Sequence, residues 1–132
     1  MANNILTGKK VMWVEDDLFL SSLISKKFSD QGCNLEFATT GQAALDALEK
    51  STPDVLLLDV MLPGGVDGFE VLKQVKANPK LKNVPVILFS NLNQEEDIDK
   101  GMKLGASRFI IKATVALDDI IREVQEVVSV GK

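Results

Sequence analysis

The sequence is poor in the residues that bind metals or form disulfides through nitrogen and sulfur. It contains no histidine and one cysteine, Cys33. A disulfide framework, a cysteine-rich zinc site and a CxxC redox pair are therefore excluded. The absence of histidine also excludes a histidine-ligated metal enzyme and a catalytic triad built on histidine. A metal site in this protein would have to rely on oxygen ligands.

Long apolar stretches and a surplus of positive charge are also missing. The N-terminal Met-Ala-Asn-Asn lacks the segments of a signal peptide, and no apolar run approaches the length of a membrane span. Fifteen Lys and Arg oppose nineteen Asp and Glu, which gives a formal net charge of −4. Without a concentrated basic patch, this balance argues against direct binding of nucleic acid. We expect a soluble, cytoplasmic protein with no membrane or nucleic-acid partner.

The length and composition are typical of one globular domain. The 132 residues are 45% hydrophobic and 26% charged. A chain of this length buries roughly two thirds of the surface that its unfolded form exposes, so its stability requires no disulfide or structural metal. No repeat, low-complexity tract or flexible linker divides the sequence, and we expect residues 1–132 to form a single domain.

Five short apolar segments predict the strands of a parallel sheet. Four are nearly continuous runs, as in strands covered on both faces, and lie at residues 11–14, 55–58, 84–89 and 109–111. A fifth segment at 33–38 alternates more and suits an edge strand. Segments with helical periodicity separate these runs and are long enough for parallel crossovers. The order predicts an α/β fold of five β-α units around a doubly wound sheet.

Capping residues support the helices between these strands. Asp17 can cap the first helix, Thr40 the second and Thr114 the last. The segment 95–104 is the least convincing helix, because Gly101 costs it about 1 kcal/mol relative to alanine.

Polar side chains follow four of the five predicted strands, at the edge where open α/β sheets bind their ligands. They are Glu15, Asp16 and Asp17 after the first strand, Asp59 after the third, Ser90 after the fourth and Lys112 after the fifth. Singly, each is explained as a helix cap or a solvated loop residue. Independent loops have no reason to place carboxylates, a hydroxyl and an ammonium around one crevice, so together they indicate a site.

The chemistry of this set suits phosphoryl transfer at a Mg²⁺ site. Carboxylates without histidine or cysteine form the hard oxygen ligand set that Mg²⁺ prefers, with phosphate oxygens completing its shell. Lys112 supplies a positive charge for one phosphoryl oxygen, and Ser90 can donate a hydrogen bond to another. Asp59 is the candidate nucleophile, because a carboxylate beside Mg²⁺ can attack phosphorus and form an acyl phosphate. Without the metal, repulsion between the carboxylates should raise at least one pKa.

The chain resembles the receiver domains of the two-component response regulator family over essentially its whole length. The matching motifs lie at residues 14–17 (VEDD), 57–63 (LLDVMLP), 67–68 (DG), 89–90 (FS) and 104–112 (LGASRFIIK). The resemblance implies a flavodoxin-like (βα)5 receiver fold with strand order 2-1-3-4-5, one of the common orders of doubly wound sheets.

The resemblance also implies a role for each polar residue. The metal ligands would be the carboxylates of Glu15, Asp16 and Asp59 and the backbone carbonyl of Met61. Asp59 would also be the phosphoacceptor. The phosphoryl-binding and switch residues would be Ser90, Lys112 and Phe109.

Partners follow from the same resemblance. The phosphoryl donor would be a histidine kinase or a phosphotransfer protein, and a downstream protein would bind the surface formed by residues 93–128. Phosphorylation would shift the populations of two conformations, in a monomer or a phosphorylation-dependent dimer. Since the sequence shows no output domain, we expect a stand-alone switch whose only catalysis is its own phosphorylation and dephosphorylation.

Three positions depart from the common family pattern and keep an alternative open. Ala113 stands where most members have proline, residues 64–66 lengthen the turn after the third strand, and Asn91 occupies the position of a smaller residue. The alternative is a receiver-fold module that binds its partner without phosphate. Two enzymes are excluded: a haloacid-dehalogenase phosphatase needs an aspartate at the position of Met61, and the acids after the first strand would repel the phosphate of a flavin.

Overall fold

The sheet carries the predicted topology. The structure is a computed structural model that describes residues 5–92 and 94–130. In these residues the sheet has five strands in the order β2-β1-β3-β4-β5, and each neighbouring pair is parallel. The strands are β1 (Lys10–Val14), β2 (Asn34–Ala38), β3 (Val55–Asp59), β4 (Val86–Ser90) and β5 (Arg108–Ile111). The predicted fold class and strand order are confirmed.

Helices cover both faces of this sheet. They are α1 (Leu18–Asp30), α2 (Gly41–Lys50), α3 (Gly68–Ala77), α4 (Glu95–Lys103) and α5 (Leu117–Val130), with a short 3-10 helix at Lys112–Thr114. Apolar residues of α2 and α3 pack into one core cluster, and those of α1 and α5 pack into a second cluster on the opposite face. No helix in the described part of the chain has the length and apolarity that crossing a membrane requires.

Alternation along the strands divides the core between the two faces. In β1, Met12 and Val14 belong to the first cluster, and Val11 and Trp13 belong to the second. The five residues of β3 and the five of β4 are all buried, as the continuous apolar runs predict for central parallel strands. Burying each large apolar side chain contributes about 1.5–3 kcal/mol, so these strands form a rigid base for the loops at their carboxyl ends.

Two of the predicted helix caps are confirmed. The Asp17 side chain accepts a hydrogen bond from the backbone N–H of Leu20 at 3.1 Å, and Thr40 Oγ1 accepts one from Ala43 at 3.0 Å. Each satisfies a backbone donor that the first turn of a helix leaves free. Asp17 is thereby occupied as a cap and stays outside the polar set considered below.

The predicted cap at Thr114 is wrong. Its hydroxyl donates to the carbonyl of Ile111 at 3.2 Å, within the 3-10 helix that precedes α5. At the start of α5, the Asp119 carboxylate instead accepts a hydrogen bond from the N–H of Ala116 at 3.1 Å. This hydrogen bond and the nearby Arg122 hold the pKa of Asp119 below its usual value. The 3-10 turn moves the helix start beyond the reach of Thr114.

Residues Glu95–Lys103 form a helix despite Gly101. Gly101 is buried against the sheet, where a Cβ atom would lie 2.6 Å from Leu88 Cδ1 and 3.2 Å from Phe109 Cδ2. The glycine therefore lets α4 approach β4 and β5 closely, in return for its lower helix propensity. Asn93, the first residue of the predicted 93–128 surface, lies outside the described residues.

Candidate functional site

The polar set meets at one edge of the sheet because β1, β3, β4 and β5 all run parallel and end there. Three of its members are buried despite their polarity: Glu15 is 1% exposed, Asp59 is 3% exposed and Ser90 is fully buried. Asp16 is exposed. Burying a carboxylate costs folding free energy unless the group is paired or hydrogen-bonded, so the partners of these carboxylates indicate the function of this edge.

Three carboxylates converge at this edge. Glu15, Asp16 and Asp59 each offer an oxygen atom within 4.8 Å of the others. Backbone amides orient two of these groups: Asp17 N–H donates to Glu15 Oε2 at 3.0 Å, and Met61 N–H donates to Asp59 Oδ1 at 3.1 Å. The structure thus brings together the three predicted metal-binding side chains, with Met61 beside Asp59.

Lys112 spans two of the carboxylates. Its ammonium lies 2.6 Å from Glu15 Oε1 and 3.0 Å from Asp59 Oδ2. The Lys112 side chain is 20% exposed, so both ion pairs are largely shielded from water. One ammonium therefore pairs with two buried carboxylates. Together with Asp16, these side chains carry more negative than positive charge.

The pKa values respond to this crowding. Burial raises the pKa of Glu15 above its usual 4.5, and the charge of Asp59 adds to the increase, while hydrogen bonds from Lys112 and Asp17 N–H oppose it. Burial disfavours the Lys112 ammonium, but the hydrogen bonds to Glu15 and Asp59 and the negative charges of these two groups together outweigh burial and raise the pKa of Lys112. Lys112 therefore stays charged. The rise predicted from the sequence occurs at Glu15, where burial is the main cause and repulsion from Asp59 makes a smaller contribution.

These residues fit a hard divalent cation. The ligand set is carboxylate oxygen throughout, which suits Mg²⁺ and not a softer metal. Glu15 Oε1 is buried, and the Lys112 ammonium lies 2.6 Å from it. A carboxylate oxygen can accept more than one partner, so Glu15 could also contribute to a cation site with Asp16 and Asp59.

Ser90 and Phe109, the two remaining predicted residues, occupy different places in the fold. Ser90 ends β4 next to β3, and its Oγ accepts a hydrogen bond from Leu92 N–H at 3.2 Å. Phe109 is half-buried in β5 and packs against the first core cluster near Gly101 of α4. Phe109 thus connects the sheet to α4, while the Ser90 hydroxyl stays at the edge.

The loop after Asp59 is shaped by glycines. Gly64 and Gly65 have φ values of 91° and 90°, and a Cβ atom at either would meet no atom within 4 Å. Gly68, the first residue of α3, lies so close to the backbone carbonyl of Asp59 that a Cβ atom would collide with it. Glycine at position 68 therefore allows α3 to start directly against the end of β3.

One residue near the site was missed in the sequence. The Phe89 ring is fully buried, and the Lys112 ammonium lies 5.0 Å from its centroid. Phe89 also packs against Trp13, with ring centroids 4.7 Å apart. In sequence, Phe89 is the last apolar residue of a core strand. Its position directly before Ser90, at the edge that carries the polar set, was the available signal.

Comparisons with known proteins agree on one family. A family model described as a response regulator receiver domain matches residues 11–125, which include every member of the polar set. Transcriptional regulatory protein AfsQ1 of Streptomyces coelicolor is 33% identical over 102 residues, 77% of this chain and 44% of AfsQ1. The chain thus spans less than half the length of that relative.

Two solved structures share the fold and part of the sequence. The receiver domain of the Francisella response regulator 1452 aligns with a TM-score of 0.85 and 29% identity, covering 95% of this chain and all of that one. The phosphorylated cyanobacterial phytochrome response regulator RcpA aligns with a TM-score of 0.79 and 29% identity, covering 92% and 91% of the two chains.

Proposed function

This chain belongs to the response regulator receiver domain family, and from that premise we propose that it is a signalling switch controlled by phosphorylation of Asp59. Receiver domains are signalling modules of two-component systems rather than enzymes in general. The phosphoryl donor is a histidine kinase or a phosphotransfer protein. Catalysis by the chain itself is limited to its own phosphorylation and dephosphorylation.

One observation carries this proposal: the Lys112 ammonium lies between the buried carboxylates of Glu15 and Asp59. A buried ion pair of this kind is weak evidence for a purely structural role, because desolvation offsets much of its attraction. Here two carboxylates share one ammonium, and a third, Asp16, lies beside them. This unbalanced arrangement suits a site that receives a cation and a phosphoryl group.

We assign the metal site to the carboxylates of Glu15, Asp16 and Asp59 and to the backbone carbonyl of Met61. Bound there, Mg²⁺ would neutralise the carboxylates and help to orient the phosphoryl oxygens. The protein's own contribution is to hold these oxygen atoms in place. The backbone N–H groups of Asp17 and Met61 do so by fixing one oxygen each of Glu15 and Asp59.

The transfer step uses the Asp59 carboxylate as the nucleophile. One of its oxygens attacks the phosphorus of the donor phosphohistidine, and the new O–P bond forms as the P–N bond breaks. The electron pair of that bond leaves with the imidazole. The Lys112 ammonium and the Ser90 hydroxyl stabilise the negative charge on the phosphoryl oxygens. To reach them, the Ser90 hydroxyl rotates away from Leu92. Water attack on phosphorus later restores the carboxylate.

The output is binding of a downstream protein to the surface formed by residues 93–128. Phe109 links this surface to the site, since it packs beside Gly101 of α4 while Lys112 follows three residues later in the chain. Movement of Phe109 after phosphorylation would change how α4 packs. The chain acts as a monomer or as a phosphorylation-dependent dimer.

Intact mass after incubation with acetyl phosphate and Mg²⁺ tests the proposal. The wild-type chain should gain one phosphoryl group, and Asp59→Asn should gain none, because the amide is not a nucleophile. Asp54→Asn is a matched control for the loss of an aspartate outside the site, and should still be modified. If neither the small donor nor a phosphorylated histidine donor modifies the wild type, the alternative of a phosphate-independent binding module replaces the switch.

A further inference from the structure

Phe89 is a fully buried aromatic residue whose ring lies next to the Lys112 ammonium of the site. The Lys112 ammonium lies 5.0 Å from its ring centroid, within the range in which a cation is attracted to an aromatic face. Lys112 thus has three partners: two carboxylates, and a ring that carries no charge. A cation or a phosphoryl group bound at the site would alter the charge of the carboxylates but would leave the ring unchanged.

The carboxylates of Glu15 and Asp59 are also the proposed metal ligands. Binding of a cation, and then of a phosphoryl group, would change the charge that they present to Lys112. The ring of Phe89 offers no lone pair to a hard cation, so its attraction for the ammonium persists in every state of the site. A long, flexible lysine side chain loses rotamer freedom when it is held, so a permanent partner favours the position that reaches the phosphoryl oxygens.

The Phe89 ring is itself fixed. Its centroid lies 4.7 Å from that of Trp13 at an interplanar angle of 32°. Trp13 is fully buried, and its indole N–H donates to Ser21 Oγ of α1 at 2.8 Å. The ring therefore cannot turn away from Lys112 without disturbing the core between the sheet and α1.

We propose that Phe89 is a positioning residue for phosphoryl transfer, which holds the Lys112 ammonium over its ring while the carboxylates change partners. This role rests on the proposed function of Asp59 and Lys112 and adds to it a residue that acts through Lys112. Trp13 and Ser21 support Phe89 from the side of α1.

Two readouts on Phe89→Leu test this role, and the first needs neither metal nor phosphoryl group. In the metal-free wild type, the ε-methylene protons of Lys112 should resonate upfield of those of exposed Lys103, because of the aromatic ring current. In Phe89→Leu this shift should disappear. The second readout is the maximal rate of phosphorylation by acetyl phosphate, which should fall about three- to thirty-fold because Lys112 is no longer held in the position that reaches the phosphoryl oxygens.

Mg²⁺ affinity from calorimetry should stay within a factor of about two, since Phe89 binds no ligand. Ile87→Val is the matched control, because Ile87 is fully buried in the same strand and core cluster as Phe89. It should keep both the wild-type rate and the Lys112 shift. Phe89→Met repeats the test if the leucine variant fails to fold.

The role of Phe89 is overturned if the Lys112 resonance shows no upfield shift in the wild type, or if a folded Phe89 variant is phosphorylated at the wild-type rate. It is also overturned if Ile87→Val slows the reaction as much, because the effect would then be general core packing. A wild-type chain that accepts no phosphoryl group is a different result: it removes the proposed function, and the positioning role with it.

Discussion

At the scale of single residues, the site brings buried charged side chains close together. Glu15 and Asp59 are nearly fully buried, and the single ammonium of Lys112 lies within 3.0 Å of both carboxylates. The raised pKa of Glu15 follows from its burial and from the nearby charge of Asp59. A folded-state pKa above the usual value means that ionised Glu15 lowers stability at neutral pH in the absence of a cation.

Asp59→Asn should therefore stabilise the metal-free protein. Removing one negative charge relieves Glu15, and the melting temperature should rise by roughly 3–6 °C, which corresponds to about 1 kcal/mol. Because the folded-state pKa of Glu15 is raised, its cost is present at neutral pH and disappears as the pH falls towards 4.5. The gain from Asp59→Asn should shrink over the same range.

Differential scanning calorimetry in a chelating buffer measures this effect. Asp99→Asn makes the same chemical change on an exposed residue of α4, and should leave the melting temperature within about 1 °C. An Asp59→Asn variant that melts at or below the wild-type temperature would show that Lys112 already compensates both carboxylates.

At the scale of elements, packing against the sheet explains why residues 95–103 form the helix α4 although their sequence favours a helix only weakly. Its sequence is strongly polar, and Gly101 disfavours a helix in isolation. In the fold, Gly101 allows the helix backbone to lie against Leu88 and Phe109. Lys100 adds a contact across to α3, where its ammonium lies 4.5 Å from the centroid of the Phe69 ring. Packing, not propensity, holds this helix.

Gly101→Ala should lower stability although alanine is the better helix former. Alanine gains about 1 kcal/mol of helix propensity, but its Cβ atom would lie 2.6 Å from Leu88 Cδ1. Leu88 is fully buried and has little room to move, so overpacking should cost about 1–3 kcal/mol and exceed the gain. Urea denaturation followed by circular dichroism gives the difference in unfolding free energy.

Asp99→Ala in the same helix serves as the reference, because it raises helix propensity at an exposed position without a clash. It should leave stability unchanged or slightly higher. A Gly101→Ala variant more stable than the wild type would mean that Leu88 and Phe109 can yield at low cost, and that close packing of α4 is not what requires glycine.

At the scale of the whole molecule, Lys112 joins parts of the chain that are distant in sequence. It follows β5, contacts Glu15 after β1 and Asp59 at the end of β3, and lies above Phe89 of β4. From these contacts we expect a change at Asp59 to reach β5, Phe109 and α4 through this one side chain. The same side chain forms ion pairs with the buried carboxylates, so we predict that its loss affects both stability and coupling.

Lys112→Ala should uncouple phosphorylation from the distant surface. With Mg²⁺ present to neutralise the carboxylates, the variant should fold and, at a reduced rate, gain a phosphoryl group. Hydrogen–deuterium exchange in residues 94–128 should change on phosphorylation of the wild type and stay unchanged in the variant. In the chelated state the variant should be less stable by about 3–5 kcal/mol, because Glu15 loses its partner in a buried ion pair.

Lys103→Ala removes an exposed lysine from the same surface and should retain the response to phosphorylation. Normal exchange changes in phosphorylated Lys112→Ala would assign the coupling to another residue, with Ser90 as the next candidate.

Much of the architecture follows from local patterns in the sequence. The continuous apolar runs of β3 and β4 and the alternation of β2 identify central and edge strands, because burial on two faces or one leaves different patterns. Since parallel strands end at one edge, these patterns also predict that residues following β1, β3, β4 and β5 meet there. Convergence of Glu15, Asp16, Asp59 and Lys112 confirms that expectation.

Tertiary structure decided the features that depend on contacts between distant segments. In the sequence Gly101 suggests a break in the helix, whereas in the structure it allows close packing against Leu88 and Phe109. Phe89 likewise looks like an ordinary core residue in the sequence, and only the structure shows that the Lys112 ammonium lies over its ring. The use of the Asp119 carboxylate in place of the Thr114 hydroxyl at the N-terminus of α5 depends on a 3-10 turn that local capping preferences do not predict. By itself the sequence determined which residues are buried and which edge is polar, because hydrophobic periodicity is local. Which side chains touch there was decided by packing, because the contacts join residues far apart in the chain.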